Sequence, residues 1–200
     1  MTQDKVKNIA IFIDAGNLWS SYKELGKVLD FGKFGEYFPK KFGGEIFKIF
    51  YYIAFPKEGQ REKRKIDSLH KFFTYLKKGL GVEVVKKPLK TIFLRNSDGE
   101  LIYDQDTGEP QSIEKGNLDI EIAIDALRYS SAYDIAIFFT GDSDFLPLMT
   151  YLKSMGKGNK KVYVFSTVGC VSHELRTGTD GYFDIEDCAE IHGGNLLNKK

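Results

Sequence analysis

Five short runs carry the strongest hydrophobic signal in the chain: IAIFI at 9–13, IFKIFYYIAF at 46–55, VEVV at 82–85, IAIFF at 135–139 and VYVF at 162–165. They are rich in Ile, Val, Phe and Tyr and of strand length, which predicts β-strands. IAIFI and IAIFF are apolar at every position, so their side chains must be buried on both faces, as in a parallel sheet covered on each side. Between the runs the period changes. Ile66, Leu69, Phe73, Leu76 and Leu80 recur three or four residues apart, predicting a helix with one apolar stripe and a charged remainder. GNLDIEIAIDALRY sets Ile120, Ala123, Ile124 and Leu127 at helical spacing, and DFLPLMTYLKSMG does the same with Phe145, Leu148, Met149 and Leu152 before a Gly stop. Pro147 falls in the first turn of that helix, where its missing N–H costs little.

Strand and helix therefore alternate, which calls for βαβ units with right-handed crossovers: an α/β fold with a parallel sheet flanked by helices. One stretch, 90–116, breaks the rhythm with two β-prone runs around NSDG and then a loop rich in Gly, Pro and Asp. It reads as a β-hairpin inserted into the domain, followed by a mobile loop leading to the Asp119 helix.

Composition narrows the class. Two hundred residues with 42% hydrophobic and 28% charged side chains fit one domain over 1–200 with a sizeable core. No apolar run approaches the roughly 18 residues of a membrane span, so a cytoplasmic protein without a membrane partner is expected. Two cysteines, Cys170 and Cys188, have no metal-ligand or disulfide-framework spacing. The net charge of +1 conceals an asymmetry: 57–90 holds eleven basic against four acidic residues, whereas 98–144 holds twelve acidic against two basic. The basic stretch is read either as a solvated helix face or as a track for a polyanion, with Arg61, Lys63, Arg64 and Lys65 its densest part.

The acids fall where an α/β sheet places its ligands, at the carboxyl ends of strands. Asp14 follows IAIFI, Asp142 and Asp144 follow IAIFF after Gly141, and Asp119 opens a helix. Two such charges about 5 Å apart at an effective dielectric of about 20 repel by roughly 3 kcal/mol, so a cluster calls for a cation or for some acids to be protonated or in water. With Asn17, Thr140 and Ser143 as neutral oxygens nearby and no histidine in these motifs, the donor set suits Mg²⁺ or Mn²⁺. Each acid also has a plain local reading: Asp144 as a helix N-cap, Asp14 as a turn residue, and Asp125, about 240° round the helix from Asp119, as an acid facing elsewhere.

The ordered set FIDAGN (12–17), KGNLDIEIAIDAL (115–127), TGDSDFLPLMTYLKSMGK (140–157) and VSHELRTGTDGYFDIED (171–187) resembles the NYN-domain family of PIN-like, LabA-like ribonucleases. The resemblance implies a PIN-like, Rossmann-like fold and a metal-dependent nuclease acting on RNA, single-stranded or in loops. It places the family's acids on Asp14, Asp119, Asp142 and Asp144, with Asn17 beside them. Lys115 and Ser143 would meet substrate, and Asp180 and Ser172 would support the site. Leu118 departs from the commonest helix motif of the family. Magnesium held by these carboxylates would activate water for phosphodiester hydrolysis. Two other readings stay open: a non-cleaving RNA-binding or regulatory module of the same fold, and a phosphohydrolase of small substrates. The chain lacks the P-loop and dinucleotide fingerprints that nucleotide cofactors require. A homo-oligomer is compatible with everything above.

Overall fold

The structure, a computed structural model, describes residues 6–56, 61–155 and 160–195. Its centre is a six-stranded, all-parallel sheet in the order β4-β3-β1-β7-β8-β9, formed by Lys7–Asp14 (β1), Gly44–Phe55 (β3), Glu83–Pro88 (β4), Ile135–Phe139 (β7), Lys161–Ser166 (β8) and Gly181–Asp184 (β9). The two wholly apolar runs lie side by side at its middle, with Ile9 opposite Ile135 and Ile13 opposite Phe139. Every residue of β7 is buried, as its unbroken apolar pattern requires.

Side-chain alternation divides the core into two layers. Ile9, Ile11 and Ile13 face helices Ala15–Leu25 (α1), Phe34–Phe42 (α2) and Lys63–Thr74 (α3), contributing to one cluster with Leu18, Phe34, Phe38 and Phe73. Ala10 and Phe12 face Asp119–Arg128 (α4), Leu146–Ser154 (α5) and His173–Gly178 (α6), joining Ile122, Ala126, Met149 and Leu175. Connections towards β4 cross on the first face and those towards β9 on the second. The chain thus reverses direction between β1 and β7, and a crevice opens beyond their carboxyl ends.

Three details differ from the sequence expectation. The Ile120, Ile124 and Leu127 row of α4 faces outward, at 68%, 48% and 38% exposure, while Ile122 and Ala126 are buried. This helix is apolar on two faces, so periodicity alone does not choose which one meets the sheet. The stripe on α3 continues through a π-turn at Tyr75–Gly79, which keeps Leu76 buried. The loop expected to be mobile is hydrogen-bonded: Lys90–Phe93 (β5) pairs with Ser112–Lys115 (β6), and 101–103 bridges to both sides near the tip. A small antiparallel pair, Lys27–Leu29 (β2) with His192–Asn195 (β10), completes the elements and has no sequence signature of its own. Among the described residues no helix is long and apolar enough to cross a membrane.

Candidate functional site

The crevice is built from strand ends. Asp14 closes β1 and caps α1: its Oδ1 accepts from the Gly16 and Asn17 N–H groups at 2.9 and 3.3 Å, and its Oδ2 accepts from the Asn17 side-chain amide at 2.6 Å. Asn17 Oδ1 in turn accepts from the Gly141 N–H at 3.1 Å, so one amide ties the end of β1 to the end of β7. Gly141 is held from the other side too, its carbonyl accepting from the Ser172 N–H at 2.9 Å. A Cβ at Gly141 would stand 1.9 Å from the Cys170 carbonyl oxygen, so only glycine fits. Ser172 also caps α6 through its hydroxyl, which accepts from the Leu175 N–H.

Asp142 has a capping role of its own. Its Oδ1 accepts from the Asp144 N–H at 2.9 Å and opens the single turn Ser143–Phe145 that leads into α5. The cap expected at Asp144 therefore belongs to Asp142, and Asp144 projects into solvent from the first turn. Asp14 is likewise a helix cap rather than a simple turn residue.

Asp119 begins α4, where Asn117 bonds it twice, accepting from its N–H and donating to its carboxylate. Burial pushes the Asp119 carboxyl above its usual range; the charges of Asp14, Asp142 and Asp144 push the same way, against the Asn117 bond. Asp119 thus feels three acids that come from two other segments. The four are not preassembled around a point: among the described residues no three His, Cys, Asp or Glu side chains are grouped so as to hold a metal ion. As a donor set the carboxylates fit a hard cation, which would relieve the repulsion on Asp119.

A cleft of about 1580 Å³ runs from these acids along α1 to α3. Asp14, Asn17, Asp119 and Asp142 line one end, with Lys115 beside them, while Arg64 and Lys65 line the far wall. The other expected substrate contacts lie off this surface. Arg61 pairs with Glu114 of β6, and Lys63 and Ser143 are exposed outside the cleft. Asp180 is at the opposite end of the sheet, where it accepts from the Val162 N–H at 3.0 Å and pairs with Lys161 at 3.0 Å. Burial raises its carboxyl, but the Val162 N–H and Lys161 outweigh that and hold it low, so it braces strand starts far from the acids. Asp125 accepts from the Tyr52 hydroxyl and from Arg128, each at 3.1 Å.

Several contributors escape a reading of the sequence. Asn117 could have been found as an Asx residue two positions before a helix start. Trp19, the only tryptophan, lines the cleft five residues beyond Asp14. Glu24 of α1 accepts from the Thr167 hydroxyl and from the Gly169 N–H at 3.0 Å, bracing the loop that packs on Gly141. The Thr167 bond leads in holding its carboxyl below the usual range. No local pattern announces a contact between residues so far apart in sequence. Gly116 admits Ala54 so closely that a Cβ there would meet its methyl at 2.2 Å, which lets β6 turn tightly into α4.

Comparison with known proteins agrees with this architecture. The chain is 29% identical over 179 residues to the low amplitude and bright protein LabA of Synechococcus elongatus, covering 90% of this chain and 84% of that one. A crystal structure of a Vibrio parahaemolyticus protein of unknown function has the same fold, with a TM-score of 0.65, 22% identity and coverage of 96% of this chain and all of the other. The NYN domain model matches residues 8–186, and the chain belongs to the NYN domain family.

Proposed function

We propose that the protein is a metal-dependent nuclease that hydrolyses phosphodiester bonds in RNA. The observation that carries this reading is geometric: Asp14, Asp119 and Asp142, from three separate segments, line one end of a single cleft at the carboxyl ends of β1 and β7, where the strand order changes direction. Asp14, Asp119 and Asp142 would hold Mg²⁺ or Mn²⁺, with Asp144 close by at the solvent edge. The cation would supply an activated water and charge neutralisation of the leaving oxygen. Asn17 keeps Asp14 oriented and fixes the spacing of the two strand ends. Lys115, Arg64 and Lys65 offer positive charge along the cleft for the phosphates on either side of the scissile bond. RNA enters from the family assignment. Nothing in the acid site itself needs a 2′-hydroxyl.

The separation of the acids favours a second reading, a module that binds RNA without cutting it. A phosphohydrolase of small substrates is disfavoured by size, since pockets for such ligands are typically about 300–1,000 Å³ and this open cleft is about 1580 Å³. The deciding experiment incubates end-labelled single-stranded and structured RNA with Mg²⁺, Mn²⁺ or chelator and maps the product ends. Metal-dependent cleavage that disappears in Asp142→Asn supports the nuclease. Chelator-insensitive binding without products supports the module.

A further inference from the structure

We propose that the limb of the cleft between α1 and α3 seats an unpaired nucleobase, stacked on the indole of Trp19. The polymer's identity rests on the reading above; the subsite rests on this limb's own chemistry. Trp19 is 49% exposed and is among the residues that line the cleft. Tyr22 meets its ring edge-on, with centroids 6.3 Å apart and planes at 76°, bracing the indole from within the same helix. Lys23 sits one turn further, its ammonium 6.0 Å from the ring centroid.

Across the cleft, α3 presents Arg64, Lys65 and Ser68 towards the rim, and Leu69 and Phe72 deeper in. A half-exposed indole, an apolar floor and cations at the edge, Lys65 among them in an ion pair of 3.2 Å with Glu62 of the same wall, form the combination by which proteins hold single strands: stacking takes the base and the cations take the backbone. A base-paired strand has its faces covered by its neighbours, so a wall-mounted indole selects unpaired bases. Trp19 follows Asp14 by five residues, about 7.5 Å along the helix axis and about 140° round it, and both line the cleft. A strand seated there and continuing along the cleft would pass the acids at its other end, which makes Trp19 a binding residue that registers the strand for cutting.

The single tryptophan makes the test direct. Oligoadenylate and an abasic oligomer of the same length are titrated into the full chain in chelator, following tryptophan fluorescence; anisotropy of dye-labelled oligomers gives affinity independently. The expected result is saturable quenching by oligoadenylate alone. Trp19→Ala should weaken its binding about 10-fold or more while Trp19→Phe retains most of it, and neither should change affinity for the abasic oligomer. Binding without quenching, equal quenching by the abasic oligomer, or absence of binding overturns the subsite. Cleavage of the same oligomer with Mg²⁺ is scored separately. Quenching without cleavage removes the nuclease and keeps the subsite; cleavage without quenching does the reverse.

Discussion

Asn17 and Gly141 are 124 positions apart in sequence and are joined by a hydrogen bond of 3.1 Å from the Gly141 N–H to the Asn17 side-chain carbonyl. The same side chain donates to Asp14 at 2.6 Å, so the orientation of the first acid and the position of the loop carrying Asp142 depend on one amide. Replacement by alanine removes both bonds and leaves the Gly141 N–H unpaired. At about 0.5–1.5 kcal/mol for each bond, Asn17→Ala should lose about 1–3 kcal/mol in urea denaturation, together with most of the cleavage rate. Asn17→Asp should be worse on both counts, because it places a like charge against Asp14.

Asp142→Asn separates function from local structure. An asparagine can still accept from the Asp144 N–H and cap the turn, so the fold in chelator should be at least as stable as the parent at neutral pH. Cleavage with saturating Mg²⁺ should be abolished, and magnesium should raise the variant's melting temperature less than the parent's. An equal magnesium shift in the two proteins would leave Asp142 as a cap alone.

The raised Asp119 carboxyl gives a pH signature. Its folded pKa exceeds the unfolded value of about 3.9, so its contribution favours folding below that pH and is lost as pH rises through the folded value. In chelator, the parent should lose stability relative to Asp119→Asn from about pH 4 upward. Melting curves across pH check this, and magnesium should flatten the difference by neutralising the ionised form.

Gly141→Ala tests the packing of the loop rather than its charge. With a backbone oxygen 1.9 Å from the new Cβ and strand ends fixed on both sides, the loop cannot yield cheaply. A loss of about 3 kcal/mol or more is expected in denaturant titration.

The basic helix divides by position. Arg64 and Lys65 line the cleft, Lys65 in an ion pair of 3.2 Å with Glu62, whereas Lys63 is exposed outside it and Arg61 is paired with Glu114. Gln at 64 should flatten the salt dependence of RNA binding by roughly one slope unit, Gln at 65 by less because Glu62 already offsets its charge, and Lys63→Gln should leave it unchanged.

The hydrophobic pattern located five of the six strands of the central sheet; β9, four half-buried residues, carries no apolar run and was missed. Two runs apolar at every position can be satisfied only at the centre of a covered parallel sheet, and the alternation of periods requires crossovers. The same reasoning located Asp14, Asp142 and Asp119 at element ends, because strand ends in such folds are fixed by where the apolar run stops. Short elements such as β2 and β10 were invisible, since three or four residues carry no period. Which face of α4 is buried, which of two neighbouring aspartates caps the turn, and which cations of α3 reach the cleft were left to tertiary structure. Each is a choice between alternatives that are equal along the chain and differ only in what lies opposite. The partnerships of Asn17 with Gly141 and of Glu24 with the 167–169 loop belong to the same class: a side chain's hydrogen-bonding capacity is written in its identity, but its partner is set by the packing that brings distant segments together.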